Sequence, residues 1–238
     1  MSHLATPAFL DRLKSIYPSR SSNSSAYLFD FPKLLATHGH CAGNEPDAVP
    51  LIFQHALQCA TNHEERLLVA RKVRDAIFKS SPSGGFARGF NSLVALDKVM
   101  PEDLKDKELM RNPRSTSLAE YEAVGEKFFQ GIYGDRAEAV QSLLDGIYPD
   151  IGYFSKTIGF GFIFGFTEIL TSIETSYTVV ATLIAIDTPK QIGWHLQGAS
   201  RLGAKVEELK AVRQIAMEVA ELCGVKWKEG VPEVQVPE

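Results

Sequence analysis

Between residues 171 and 224 the sequence allows little except packed helices. Residues 174–186 form a long, mainly apolar run. Asp187-Thr188-Pro189 then interrupts the run, because the residue before a proline is pushed out of the helical region. A short helix carrying His195 follows, and residues 206–223 repeat apolar positions at helical spacing. Such segments bury their faces only against one another, so this stretch demands a helical core.

The rest of the chain agrees. Thr6-Pro7 is a helix start, followed by Phe9, Leu10, Leu13 and Ile16. Residues 50–60 put Ile52, Phe53, Ala56, Leu57 and Ala60 on one face. Asn62 and Glu65 mark the start of a further helix, which the sequence ends at Ser80-Ser81-Pro82. A shorter helix carries Phe86, Phe90, Leu93, Val94 and Leu96. Ser117 and Glu120 form a capping box ahead of Tyr121, Val124, Phe128 and Phe129. Residues 137–147 read as another helix, and residues 151–168 are unusually aromatic, with glycines suited to close packing or a bend. No segment shows sustained period-two alternation bounded by hairpin turns, so the fold class is all-α.

The second half repeats the first in outline. Thr171-x-x-Glu174 parallels Asn62-x-x-Glu65, and in each case a long helix, a break at proline and a short helix follow. The predicted architecture is two tandem pseudo-repeats sharing one core: residues 1–114, residues 115–225 and an extended tail over 226–238, either free or lying along a neighbouring subunit.

Composition excludes several classes. A net charge of −4 argues against a nucleic-acid partner. The longest apolar run, residues 158–166, falls short of the about 20 residues that span a bilayer. Cys41, Cys59 and Cys223 are far apart and odd in number, which fits a reducing compartment. His38, His40 and Cys41 offer three potential metal ligands, but the adjacent glycines more simply mark a turn, and no metal is expected. Residues 1–20 have the basic, serine-containing look of a weak mitochondrial presequence, yet read better as an ordinary first helix. The terminal Val-Pro-Glu is not a peroxisomal address. The expected location is cytoplasmic, with mitochondrial as the alternative.

One run carries a family resemblance. Residues 177–186, then Pro189-Lys-Gln-Ile-Gly-Trp-His195-Leu-Gln-Gly-Ala199, then Gly203-Ala-Lys-Val-Glu-Glu208-Leu209, resemble the carboxymuconolactone decarboxylase and alkyl hydroperoxidase D (AhpD)-like superfamily. The match covers residues 148–225, weakens over 64–104, and is similar to two-copy fungal members. It implies an AhpD-like helical fold and a homo-oligomer. It departs from the peroxidase branch, whose Cys-x-x-Cys positions hold Thr188 and Gln191 here. A hydroxyl and an amide cannot cycle through a disulfide.

The residues themselves nominate a site. His195 lies at the edge of a face formed by Ile192, Leu196, Ala199 and Leu202, and its ordinary pKa suits a general acid or base. Glu174 is the nearest upstream carboxylate on the preceding helix, although its capping role explains it equally. Trp194, Tyr177 and Tyr153, with Phe160 and Phe164, are candidates for an aromatic pocket. Thr188 and Gln191 are placed to bind an anionic group at a helix start. Together with the resemblance, this predicts a cofactor-independent lyase or isomerase acting on a small cyclic organic acid or lactone. Two alternatives stand beside it: a non-catalytic helical oligomerisation protein, and a thiol-dependent antioxidant.

Overall fold

The computed structural model describes residues 5–18 and 42–235, and every regular element among them is helical. The chain is all-α. The His38, His40 and Cys41 cluster lies outside the described residues.

Helix α1, Pro7–Ile16, starts where Thr6 accepts the Phe9 amide, and buries Leu10 and Leu13. Helix α2 is Ala48–Leu57. Helix α3, His63–Gly84, is capped by Asn62, which accepts the Glu65 amide at 2.9 Å. It continues past the predicted stop and carries Pro82 in its last turn. Proline has no N–H to bond the carbonyl four residues back, so the end of α3 is weakened there, and Gly85, at a φ of 107°, supplies the termination. Helix α4, Phe86–Asp97, begins at once.

Helix α5, Leu118–Tyr133, starts from the Ser117–Glu120 capping box. Helix α6 is Ala137–Ile147, and the short α7 is Pro149–Tyr153. The aromatic stretch is not an α-helix. Residues Phe154–Phe164 form a π-helix. Its wider turn lies against α5 at glycines on both sides. A Cβ on Gly125 would sit 2.0 Å from the Lys156 carbonyl oxygen, and one on Gly161 would sit 2.1 Å from that of Tyr121. Helix α8, Ser172–Ala185, is capped by Thr171 and Glu174, and is buried from Thr175 to Ala185. Asp187, at a φ of 55°, makes the turn into α9, Pro189–Arg201. Helix α10 is Val206–Leu222.

The interior forms two apolar clusters rather than the single shared core expected. One joins α1, α5, the π-helix and α8 to α10, through residues such as Phe129, Phe160, Tyr177, Ile184 and Val212. The other gathers Phe53, Val73, Ile77 and Leu96 around α2, α3 and α4, with Leu170. Helix α2 straddles them, giving Ile52 to the first and Phe53 to the second. Where α3 meets α8 the contacts are polar: Lys72 to Glu174, and Lys79 to Thr175. That polar seam is why the apolar interior divides.

The tail lies on its own chain. Trp227 donates its indole N–H to the Ile184 carbonyl at 2.8 Å. Arg213 donates to the carbonyls of Val231 and Pro232, each at 2.7 Å, and Val234 is buried. No helix among the described residues is long and apolar enough to cross a membrane.

Candidate functional site

Helix α9 presents His195 inward because Ile192, Leu196 and Ala199 share its buried side. Gly198 lets α9 close on α5: a Cβ there would meet the Ile132 carbonyl oxygen at 2.9 Å. Arg201 reinforces the approach by donating to that same carbonyl at 2.6 Å. The imidazole consequently lies between elements. It stacks on Phe160 of the π-helix, with centroids 6.4 Å apart and planes at 23°. It meets Tyr133 of α5 edge-on at 6.0 Å.

These walls set the chemistry. His195 is 7% exposed, and its Nδ1 has no hydrogen-bond partner among the described residues. Burial pushes its pKa down to about 4 and that of Tyr133 up to about 12. Both rings are therefore neutral at pH 7. A neutral imidazole is the form that accepts a proton, so His195 in this state is suited to act as a base and poorly suited to act as an acid near neutrality.

The other sequence-nominated residues have separate surroundings. Trp194 packs against Tyr133 at 6.0 Å, with the Lys190 ammonium 4.9 Å over its ring centre. Thr188 donates its hydroxyl to the Leu183 carbonyl at 3.2 Å, closing the end of α8 rather than capping α9. Gln191 is exposed, and Tyr153 is half exposed. Tyr177 is in the interior and donates to Glu208 at 3.1 Å. Burial first, then Tyr17 and Glu208, raises its phenol well above the ordinary range. Glu174 accepts from the Thr171 amide at 2.9 Å and pairs with Lys72 at 2.5 Å, at the α3 end of α8. His195 and Trp194 thus share the Tyr133 contact, while Tyr177 and Glu174 have other partners and Tyr153 faces solvent in part.

The sequence reading missed a buried ionic cluster. Asp75, with its side chain 2% exposed, accepts from Arg111 at 2.6 Å and lies 3.3 Å from the Lys79 ammonium. Lys79 is fully buried and also donates to Thr175 at 2.7 Å and to the Phe166 carbonyl at 2.6 Å. Burial pushes Lys79 down to about 8, and Asp75 opposes that shift. Arg111 also donates to the carbonyls of Phe162 and Ile163 and stacks on Phe78 and Phe166. The available signal was the i, i+3, i+7 spacing of Lys72, Asp75 and Lys79, which puts three charges on one side of a helix that must be covered. All three Lys79 donor contacts are internal, so the group clamps α3 to α8 and to the chain ahead of it.

A cleft of about 260 Å³ opens beside this cluster, between α3, α4 and the charged connection near residue 106. None of His195, Glu174, Thr188, Gln191, Trp194, Tyr177 or Tyr153 lines it. No group of three or more potential metal ligands occurs among the described residues. Of the thiols, Cys59 is exposed and Cys223 half-buried. Burial, with a smaller contribution from Glu45, pushes Cys223 up to about 12, the reverse of the thiolate character that redox chemistry needs.

No family model matches the chain. It is 28% identical over 237 residues to Peroxisomal protein 2 of Saccharomyces cerevisiae, covering 90% of this chain and 83% of that protein. It is 26% identical over 195 residues to Peroxisomal protein 2 of Schizosaccharomyces pombe, covering 82% and 88%. These relatives overturn two expectations. Their names point to the peroxisome, against a cytoplasmic or mitochondrial location. They also point to a peroxisomal protein rather than to a lyase or isomerase of small cyclic acids or lactones.

Proposed function

We propose that this chain is a peroxisomal, non-catalytic helical protein that keeps an AhpD-like fold and works by self-association. The observation that carries the reading is an unpartnered apolar face on α6 and the elements that follow it. On α6 only Ala137 is buried, while Leu143 and Ile147 point to solvent. Tyr148, Ile151, Tyr153 and Phe154 continue the exposed apolar surface into α7 and the π-helix. Ile147 is 69% exposed and Tyr148 58%. Six large apolar or aromatic side chains are thus exposed within twelve residues, a density that marks an interaction surface. A second copy of the chain is the occupant proposed for it.

The AhpD-like reading is supported by the matching order of parts. Asn62 caps α3 and Thr171 caps α8; each long helix is followed by a tight turn and a short helix. The proposed halves are residues 1–114 and 115–225. The peroxisomal location rests on the two relatives. A fluorescent fusion expressed in yeast should give puncta coincident with a peroxisomal matrix marker, dispersing in cells unable to import matrix proteins. A diffuse or mitochondrial signal in import-competent cells would remove the peroxisomal half of the proposal. The self-association half is tested by sedimentation of wild type against Ile147→Glu.

A further inference from the structure

We infer that the cleft between α3, α4 and the connection around Asp106 is a binding site for a small carboxylate with a short apolar body. The first observation is its shape and walls. At about 260 Å³ it falls just below the about 300 Å³ at which ordinary ligand pockets begin, so it admits only a small molecule. Phe78, Leu93, Met110 and Ile169 supply apolar wall.

The second observation is the charge. Arg71, Arg74 and Arg111 line the cleft against Asp75 and Asp106, leaving one positive charge in excess. The carboxylates orient the guanidinium groups without using them up. Asp106 Oδ1 accepts from Arg71 Nε at 2.9 Å and lies 2.8 Å from Arg71 Nη2, and its Oδ2 accepts from Arg74 Nη2 at 2.6 Å. Arg74 Nη1 donates to the Leu104 carbonyl at 2.9 Å. Each guanidinium carries five N–H donors in a fixed fork, so both keep donors that no described residue engages. Arg71 Nη1 is among them.

The third observation is pre-organisation. Asp106 holds the two arginines on one face of α3 at i and i+3, and both side chains are partly buried. Restricted, partly desolvated guanidinium groups bind a planar carboxylate in bidentate geometry better than free surface ones. The two carboxylates in the cleft, Asp75 and Asp106, are already paired with arginines, so the site binds and holds. It is independent of the His195 region and of the α6 face.

The test is isothermal titration of the full chain with hexanoate, hexan-1-ol and sulfate. Hexanoate should bind saturably with one site per chain, and at least about ten-fold more tightly than either comparator. Arg71→Gln should weaken hexanoate about ten-fold, and His195→Leu should leave it unchanged. Hexan-1-ol or sulfate binding as tightly as hexanoate would overturn the proposal, as would the absence of saturable hexanoate binding. Unaltered hexanoate affinity in Arg71→Gln would overturn it too. The comparison among the three probes needs no variant, so it stands even if Arg71→Gln fails to fold.

Discussion

Asp75→Asn should lower the thermal unfolding midpoint at pH 7 by about 10 °C. The carboxylate is 2% exposed and faces two buried cations, Arg111 at 2.6 Å and Lys79 at 3.3 Å. Breaking a buried ion pair by removing one partner costs about 3–5 kcal/mol, because the remaining charge stays desolvated. Each kcal/mol is worth roughly 2–4 °C in a chain of this size. Asparagine keeps the shape and one acceptor, so the loss reports charge rather than a cavity. The deficit should narrow at pH 9. Lys79 is already held down to about 8 by burial, and without Asp75 to oppose that shift it gives up its proton more easily. Asp106→Asn is the comparison: its side chain is 18% exposed and those of its partners Arg71 and Arg74 are 34% and 24% exposed, so water makes good part of the loss and the shift should be smaller. Circular dichroism melts of the two variants check this. A shift under about 2 °C for Asp75→Asn would mean the cluster is not a structural clamp.

Gly161→Ala should cost about 3 kcal/mol or more and reduce the near-ultraviolet aromatic signal. Its new Cβ would lie 2.1 Å from the Tyr121 carbonyl oxygen and 2.8 Å from the carbonyl carbon. Both are backbone atoms, so no side chain can rotate out of the way, and α5 and the π-helix must separate. Separation would unpack Phe160 from Phe128 and Phe129, and so loosen the wall behind His195. Gly146→Ala supplies the contrast, since nothing lies within 4 Å of its added Cβ on α6. Alanine there should be neutral or stabilising by up to about 1 kcal/mol. Equal behaviour of the two variants, read by chemical denaturation and aromatic dichroism, would refute the close-approach account.

How far the fold was legible depends on how local its causes are. Asn62, Ser117 and Thr171 each stand three residues before a glutamate, and each caps a helix as that spacing predicts. The apolar run of α8 announces a buried helix by composition alone. The π-helix was not legible, because its cause is the mutual approach of Gly125 and Gly161, which no short window contains. The ionic cluster showed only as charges on one side of α3, because their partners, such as Glu174 for Lys72 and Arg111 for Asp75, lie far along the chain. For His195 the sequence placed the ring at the edge of a buried face, but Phe160 and Tyr133, which close it off and keep it neutral, arrive from other elements. The tail was read as extended, while its docking through Trp227 and Arg213 depends on carbonyls that any sequence would offer.

Sedimentation velocity on wild type, Ile147→Glu and His195→Leu most directly tests the claim that the exposed face, not the histidine, does the work. Ile147 is exposed enough for a glutamate to leave the fold intact. The account predicts that wild type and His195→Leu both sediment as a multiple of the 26.2 kDa chain, and that Ile147→Glu shifts to monomer. A monomeric wild type would contradict it, as would association lost in His195→Leu and kept in Ile147→Glu.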